Sequence, residues 1–379
     1  MALKQPVRKQ PPGRKPPNQP DPQIVASRSR GALLGVAVGD ALGATNETKR
    51  FPGPPFPEML TGMQTEMKGG GPFSVKPGQV TDDTQMACCI ASGLGAIGKY
   101  DALDVAKRYL AWRQHALAIR TAEGEIEKSD IPEQVGKALD EMQGGRMHQT
   151  AGKMVWLRSA RQFAGNGSLA RTAPIGVKLA GANDEEARAQ ASLDDSALTH
   201  FDPRCQMACA ALNGAIARAI TQVKPLSPDD LVDGALSGVA VAGALFARRD
   251  EAQEFARDAQ FAAQCVREDI DAARQPDPQL FGPELHLFSM MSFVRVSFRL
   301  AWWELFHAQT FEAALVDVVN RGGDTDTNAA ITGALLGAYH GAQQVPESWA
   351  RAVLDAVPAQ RGPLLDLYHP NTLLGLLDG

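Results

Sequence analysis

The sequence predicts an all-α fold: a single compact multi-helix domain behind a short basic tail. Three observations predict it. Apolar residues recur at helical spacing through most of the chain, while strand-like alternation is almost absent. Helix-start signals recur, the clearest being Ser227 followed by Pro228, Asp229 and Asp230. Glycines fall four apart in two segments, at Gly31, Gly35, Gly39 and Gly43 and again at Gly333, Gly337 and Gly341. That spacing puts each row on one helix face. Glycine costs about 1 kcal/mol against alanine inside a helix, so such rows mean that another backbone comes very close. Two helices packed at the centre of the fold are expected. The word GALLG recurs in both segments, an echo too short to be an internal repeat.

Taken in order, residues 1–23 are Pro-rich and basic, with Lys4, Arg8, Lys9, Arg14 and Lys15. Little there can be buried, which predicts a disordered tail or, more sharply, a docking arm for an acidic partner. The domain runs over 24–379, opening with a helix from Ile24 to the glycine row. A Gly/Pro-rich connection over 44–80 follows; a loop of that length in a compact domain usually serves as a lid or binding loop. Helices are then expected at 82–97, 101–117, 131–142, 171–179, 184–198, 203–222, 228–246, 251–274, 287–307, 311–319, 328–341 and 346–357.

Composition narrows the function classes. Apolar residues make up 44% of the 379, enough for a sizeable core. The net charge of −5 and 6% aromatic content give no basic stripe or stacking platform for nucleic acid outside the tail. The five cysteines, Cys88, Cys89, Cys205, Cys209 and Cys265, include no Cys-x-x-Cys. Buried free thiols in a reducing cytoplasm fit better than a disulfide framework or zinc. The first thirty residues hold no apolar signal-peptide core. The apolar run at 238–247 falls well short of the ~20 residues of a membrane span. A soluble cytoplasmic protein is expected.

Chemistry concentrates in two acidic boxes. Asn320-Arg321-Gly322-Gly323-Asp324-Thr325-Asp326-Thr327-Asn328 offers two carboxylates one residue apart among other side-chain oxygens. Hard cations such as Mg²⁺ and Mn²⁺ want several oxygen ligands; capping alone also accounts for an Asp-x-Asp at a helix start. A calcium loop fails, because Ala329 and Leu335 stand where it needs glycine and glutamate. Far upstream, Thr81-Asp82-Asp83-Thr84 also sits at a helix start. Adjacent carboxylates repel, and a shared cation removes that repulsion. Glu47 in the long loop is a candidate base or gate. Asn166-Gly167-Ser168, with Arg171 beyond, is either an ordinary turn or a phosphate cradle. His200 precedes a helix as a capping-loop residue or ligand contact. His340 reads as packing at a helix end. No serine elbow, Walker loop or Rossmann glycine pattern occurs.

Gly39-Asp40-Ala41-Leu42-Gly43 with Glu47, the box at 81–84, Asn166-Gly167, Thr199-His200 and Gly322-Gly323-Asp324-Thr325-Asp326-Thr327 occur in that order. Together they closely resemble the ADP-ribosylglycohydrolases of the dinitrogenase reductase-activating type, over about residues 26–345. The resemblance implies an all-α fold and a binuclear Mg²⁺ or Mn²⁺ centre. It implies Thr81, Asp82, Asp83, Asp324, Asp326 and Thr327 as metal ligands, with Glu47, Asp82 and Asp326 as the catalytic residues. It implies Asn166, Gly167, Ser168 and His200 beside the ADP-ribose. Asp130 resembles the aspartate that arginine-specific members aim at the guanidinium, and reads equally well as a helix N-cap. The implied function is removal of ADP-ribose from a modified protein side chain, arginine before serine. The alternative is an immunity or regulatory protein that blocks an ADP-ribosyltransferase through its tail. The expected partners are an ADP-ribosylated protein and such a transferase, with no nucleic acid and no membrane.

Overall fold

The computed structural model describes residues 20–51, 56, 64–123, 131–249, 252–356 and 366–378. Its helices are α1 (Pro22–Gly43), α2 (Asp82–Ile97), α3 (Ala102–Glu123), α4 (Glu133–Gln143), α5 (His148–Arg158), α6 (Gly167–Arg171), α7 (Ala173–Lys178) and α8 (Glu185–Thr199). They continue as α9 (Pro203–Thr221), α10 (Pro228–Phe246), α11 (Ala252–Ala273), α12 (Val294–His307), α13 (Phe311–Arg321), α14 (Thr325–His340), α15 (Glu347–Asp355) and α16 (Pro370–Leu374). Among the described residues the β structure amounts to isolated bridges. The fold is all-α, and none of the helices is long and apolar enough to cross a membrane.

Two helices form the centre. Residues Gly31–Gly43 of α1 and Thr325–Ala338 of α14 are buried throughout. A helix without a polar face has to sit inside a larger body. They pack antiparallel, as the glycine rows predict. Gly31 meets Gly337, Gly35 meets Gly333, Gly39 meets Ala329, and Gly43 meets Thr325 and Asp326. A Cβ on Gly39 would lie 2.7 Å from Ala330 N, and one on Gly43 would lie 2.5 Å from Asp326 Cα. No larger residue fits these positions without parting the helices. The ladder therefore sets the register that brings the end of α1 to the start of α14.

Other helices wrap this pair. Among the wrapping helices α9 is buried along most of its length, while α4 and α11 bury one face and expose the other. Ser227 caps α10 in a reciprocal capping box with Asp230, as its sequence signals. All five cysteines are free and buried. His340 closes α14 with its ring edge-on to Tyr339.

Several boundaries differ from expectation. α1 starts at Pro22 with Asp21 as its cap, two residues before Ile24; residues 1–19 of the tail lie outside the described residues. The helix expected at 171–179 is broken at Thr172 into α6 and α7, with Pro174 in the first turn of the second. The helix expected from 287 starts at Val294. α14 starts at Thr325, so Asp326 and Thr327 lie in its first turn, before the expected Asn328. α5 and the short α16 were not among the expected helices.

Candidate active site

The site forms where α1 ends against the start of α14. After Gly43 the chain turns, and Asn46 Nδ2 ties the turn to Val319 O at 2.8 Å. Thr48, in the left-handed region at φ 60°, donates its N–H to Gly323 O at 2.8 Å. Gly323 N–H returns to Lys49 O at 3.0 Å. Gly322 and Gly323 both have positive φ, and a Cβ on Gly323 would lie 2.8 Å from Leu287 O. This double clamp aims Glu47 inward: its Oε2 accepts the Thr325 N–H at 2.7 Å. Carboxylate oxygens of Glu47, Asp324 and Asp326 all lie within 4.8 Å of one another, and all three residues are buried.

The second box arrives from α2. Thr327 Oγ1 donates to Asp83 Oδ2 at 2.9 Å, joining the boxes across 244 positions of sequence. Neither box is there to cap its helix. Thr81 at the start of α2 and Asp324 at the start of α14 make no side-chain cap bond. At α2 that work falls to Asp40 of α1. It accepts the Thr81 N–H at 3.0 Å, the Thr81 hydroxyl at 2.8 Å and the Thr84 N–H at 3.0 Å. Asp40 has no role legible in the sequence. The available signal was an acid in the stretch 31–43, otherwise made of glycine and apolar residues.

So many buried carboxyls repel one another. Burial, then Asp326 and Asp324, push the Glu47 carboxyl up to about 12. Asp82, partly buried, is raised by desolvation and then by Asp326. Asp83 is raised by desolvation and then by Asp82. Asp326 is raised by desolvation and then by Asp324. Burial also raises Asp40, against the lowering effect of its Thr81 and Thr84 donors. These groups can keep a proton or meet a cation; either relieves the repulsion. The donor set is all oxygen, largely anionic and buried, which suits a hard divalent ion and offers nothing to a soft one.

A wall beside the cluster comes from the segment before α6. Asn166 Nδ2 donates to Asp324 Oδ2 at 3.0 Å and to Ser297 Oγ at 2.9 Å. Gly165 N–H donates to Gln134 Oε1 at 3.2 Å, and Gln134 Nε2 to Thr199 O at 3.2 Å. His200 Nδ1 pairs with Thr199 Oγ1 at 2.8 Å. The Gly167 backbone lies against the His200 imidazole, where a Cβ would sit in ordinary contact, 3.5 Å from Nε2.

A profile of the ADP-ribosylglycohydrolase family matches residues 21–372. The chain belongs to the ADP-ribosylglycohydrolase family. The ADP-ribosyl-[dinitrogen reductase] glycohydrolase of Rhodospirillum rubrum is 28% identical over 328 residues, covering 86% of this chain and 90% of its own. The ADP-ribosylarginine hydrolase Tri1 of Pseudomonas putida is 26% identical over 346 residues, covering 88% and 76%. A solved structure described as an ADP-ribosylglycohydrolase-related protein complex superposes with a TM-score of 0.62 at 25% identity, covering 94% of this chain and 99% of that one.

In this glycohydrolase the remaining candidates are placed as follows. Ser168 is fully buried, its hydroxyl 3.0 Å from Ser196 Oγ. Arg171 does not face a phosphate. It is fully buried, 3.0 Å from Asp195 Oδ2, with its guanidinium over the Tyr109 ring. Its part is to hold α6 against α8. Burial, and then the Arg171 charge, keep the His200 imidazole well below its ordinary pKa, so it is neutral at pH 7. Asp130 lies outside the described residues. Gln134 and Ser297, which carry the wall, went unnoticed in the sequence because each acts through side-chain bonds to residues distant in sequence, which no local pattern announces.

Proposed function

We propose that the chain is a metal-dependent hydrolase that removes ADP-ribose from a modified protein side chain, arginine by preference. The observation that carries this reading is the meeting of the two boxes: Glu47, Asp324 and Asp326 crowd within 4.8 Å, and Thr327 bonds to Asp83. Ordinary glycosidases place two carboxylates roughly 5–9 Å apart with the sugar between them. Three buried carboxylates crowded on one another fit ion binding better than a pair that flanks a sugar. In this reading Thr81, Asp82, Asp83, Asp324, Asp326 and Thr327 hold two Mg²⁺ or Mn²⁺ ions. Such ions would polarise ribose hydroxyls and acidify a water at neutral pH.

The residues of the chain do the rest. Asp82 and Asp326 place the attacking oxygen on the anomeric carbon of ADP-ribose. Glu47, held by the Thr325 N–H, moves the proton between that water and the departing guanidino nitrogen. Asn166 holds Asp324 in place, and Gly167, Ser168 and His200 are the candidates to line the ADP-ribose. Asp130 is the candidate partner of the guanidinium. The arginine preference follows the ADP-ribosylarginine hydrolase among the relatives.

The test is release of ADP-ribose from peptides modified on arginine or on serine, with and without chelator. The expected result is release from the arginine peptide, abolished by chelator and by Asp324→Ala. Full activity in chelator or in that variant refutes the metal; release from serine alone refutes the linkage.

A further inference from the structure

Thr81 and Thr327 use their hydroxyl hydrogens in the same way. Thr327 donates to Asp83 Oδ2 at 2.9 Å, and Thr81 donates to Asp40 Oδ1 at 2.8 Å. A hydroxyl whose hydrogen is committed to a carboxylate presents only lone pairs to whatever else approaches it. Lone pairs on oxygen are what a hard cation requires.

Asp40 is itself fully engaged and fully buried, with both carboxylate oxygens taken by Thr81 and Thr84. Its backbone is held by the glycine ladder. Gly39 on one side and Gly43 on the other press on α14, where a Cβ would lie 2.7 Å from Ala330 N and 2.5 Å from Asp326 N respectively. One short stretch of α1 thus registers against the box at 324–327 through its glycines and grips the box at 81–84 through its aspartate. The distance between the boxes is set there.

We propose that Asp40 is the positioning residue of the divalent-cation site. It turns the lone pairs of Thr81 Oγ1 toward the ion and locks the start of α2 to α1, without touching the ion itself. The inference rests on the metal reading above. Outer partners of metal ligands act in this way in general, and losing one lowers metal affinity about 10–100-fold. Asp40→Asn keeps the shape and sets an NH₂ group against N–H and O–H donors that now find a carboxylate.

The experiment titrates Mn²⁺ into the full chain and reads free Mn²⁺ by electron paramagnetic resonance. Asp40→Asn and Thr81→Val should each weaken binding by about 10–100-fold. The double variant should bind as Asp40→Asn does, because the two changes remove the same oriented oxygen. Wild-type affinity in Asp40→Asn, or losses that multiply in the double variant, overturn the proposal. If Asp40→Asn fails to fold, Thr81→Val still decides: it removes the hydroxyl that Asp40 orients, and unchanged Mn²⁺ binding overturns the proposal. A wild-type chain that binds no Mn²⁺ refutes the metal reading itself, and the Asp40 assignment falls with it.

Discussion

Gly43→Ala tests whether the glycine ladder positions the acidic cluster. Gly43 is the last residue of α1, and its carbonyl accepts the Thr325 hydroxyl at 2.7 Å. A Cβ there would lie 2.5 Å from both Cα and N of Asp326, where ordinary contact begins at 3.4 Å. The difference, 3.4 − 2.5, asks for about 0.9 Å of separation at a residue whose carboxylate belongs to the cluster. A catalytic constellation tolerates about 0.5 Å, and a misplacement near 1 Å costs about 100-fold in rate. Overpacking of this kind costs about 1–3 kcal/mol of stability, against the 5–15 kcal/mol typical of a folded domain. The variant should therefore stay folded, unfold at lower urea, and lose about 100-fold in ADP-ribose release with weaker Mn²⁺ binding. Gly95→Ala is the control. Nothing lies within 4 Å of its added Cβ, so it should keep full activity and gain up to about 1 kcal/mol from helix propensity. The assays are urea denaturation, turnover of a modified arginine peptide, and Mn²⁺ titration. A Gly43→Ala protein with wild-type turnover would refute the reasoning, since the cluster would then tolerate a shift nearly twice the expected limit.

Arg171→Met leaves Asp195, 1% exposed, with only the Tyr109 and Tyr100 hydroxyls at 2.7 and 3.2 Å. Breaking a buried pair costs about 3–5 kcal/mol; the two hydroxyls set the expectation near 3, and a loss below about 1 in urea denaturation argues against it. His200 should make the fold acid-sensitive. Its folded pKa lies below the ordinary 6.5, so below that pH the unfolded chain binds the extra proton and stability falls with falling pH. The slope has a ceiling of about 1.4 kcal/mol per pH unit. His200→Gln should flatten the dependence between pH 6.5 and 5, and an unchanged slope would show that the imidazole titrates freely. Removing residues 1–19 should leave hydrolysis of a small peptide unaltered, because every proposed catalytic residue lies beyond them; loss of turnover in a folded product would place the tail in the active site. If those residues dock on an acidic transferase, that binding should weaken as salt rises.

The sequence by itself determined most of the helices, their packing centre and the chemistry on offer. A period of 3.6 marks α2, α10 and α13 whatever surrounds them, because burying one face is a local demand. Glycines four apart announce a close backbone approach, since nothing else justifies their cost in a helix. Two oxygen-rich boxes at helix starts announce acid in concentration. Tertiary structure decided the remainder. Whether Asp324 and Asp326 serve a cap or a cluster depends on where Glu47 and Asp83 arrive, and those sit on other elements. Arg171 follows a segment open to two readings, an ordinary turn or a phosphate cradle; its neighbour in space is Asp195. Asp40 had no readable role because its partners, Thr81 and Thr84, lie more than forty positions away. A hydrogen bond is a contact between atoms a few ångströms apart. Sequence spacing predicts it only within one helix or turn, and the site draws its contacts from α1, α2, α14 and the segment before α6.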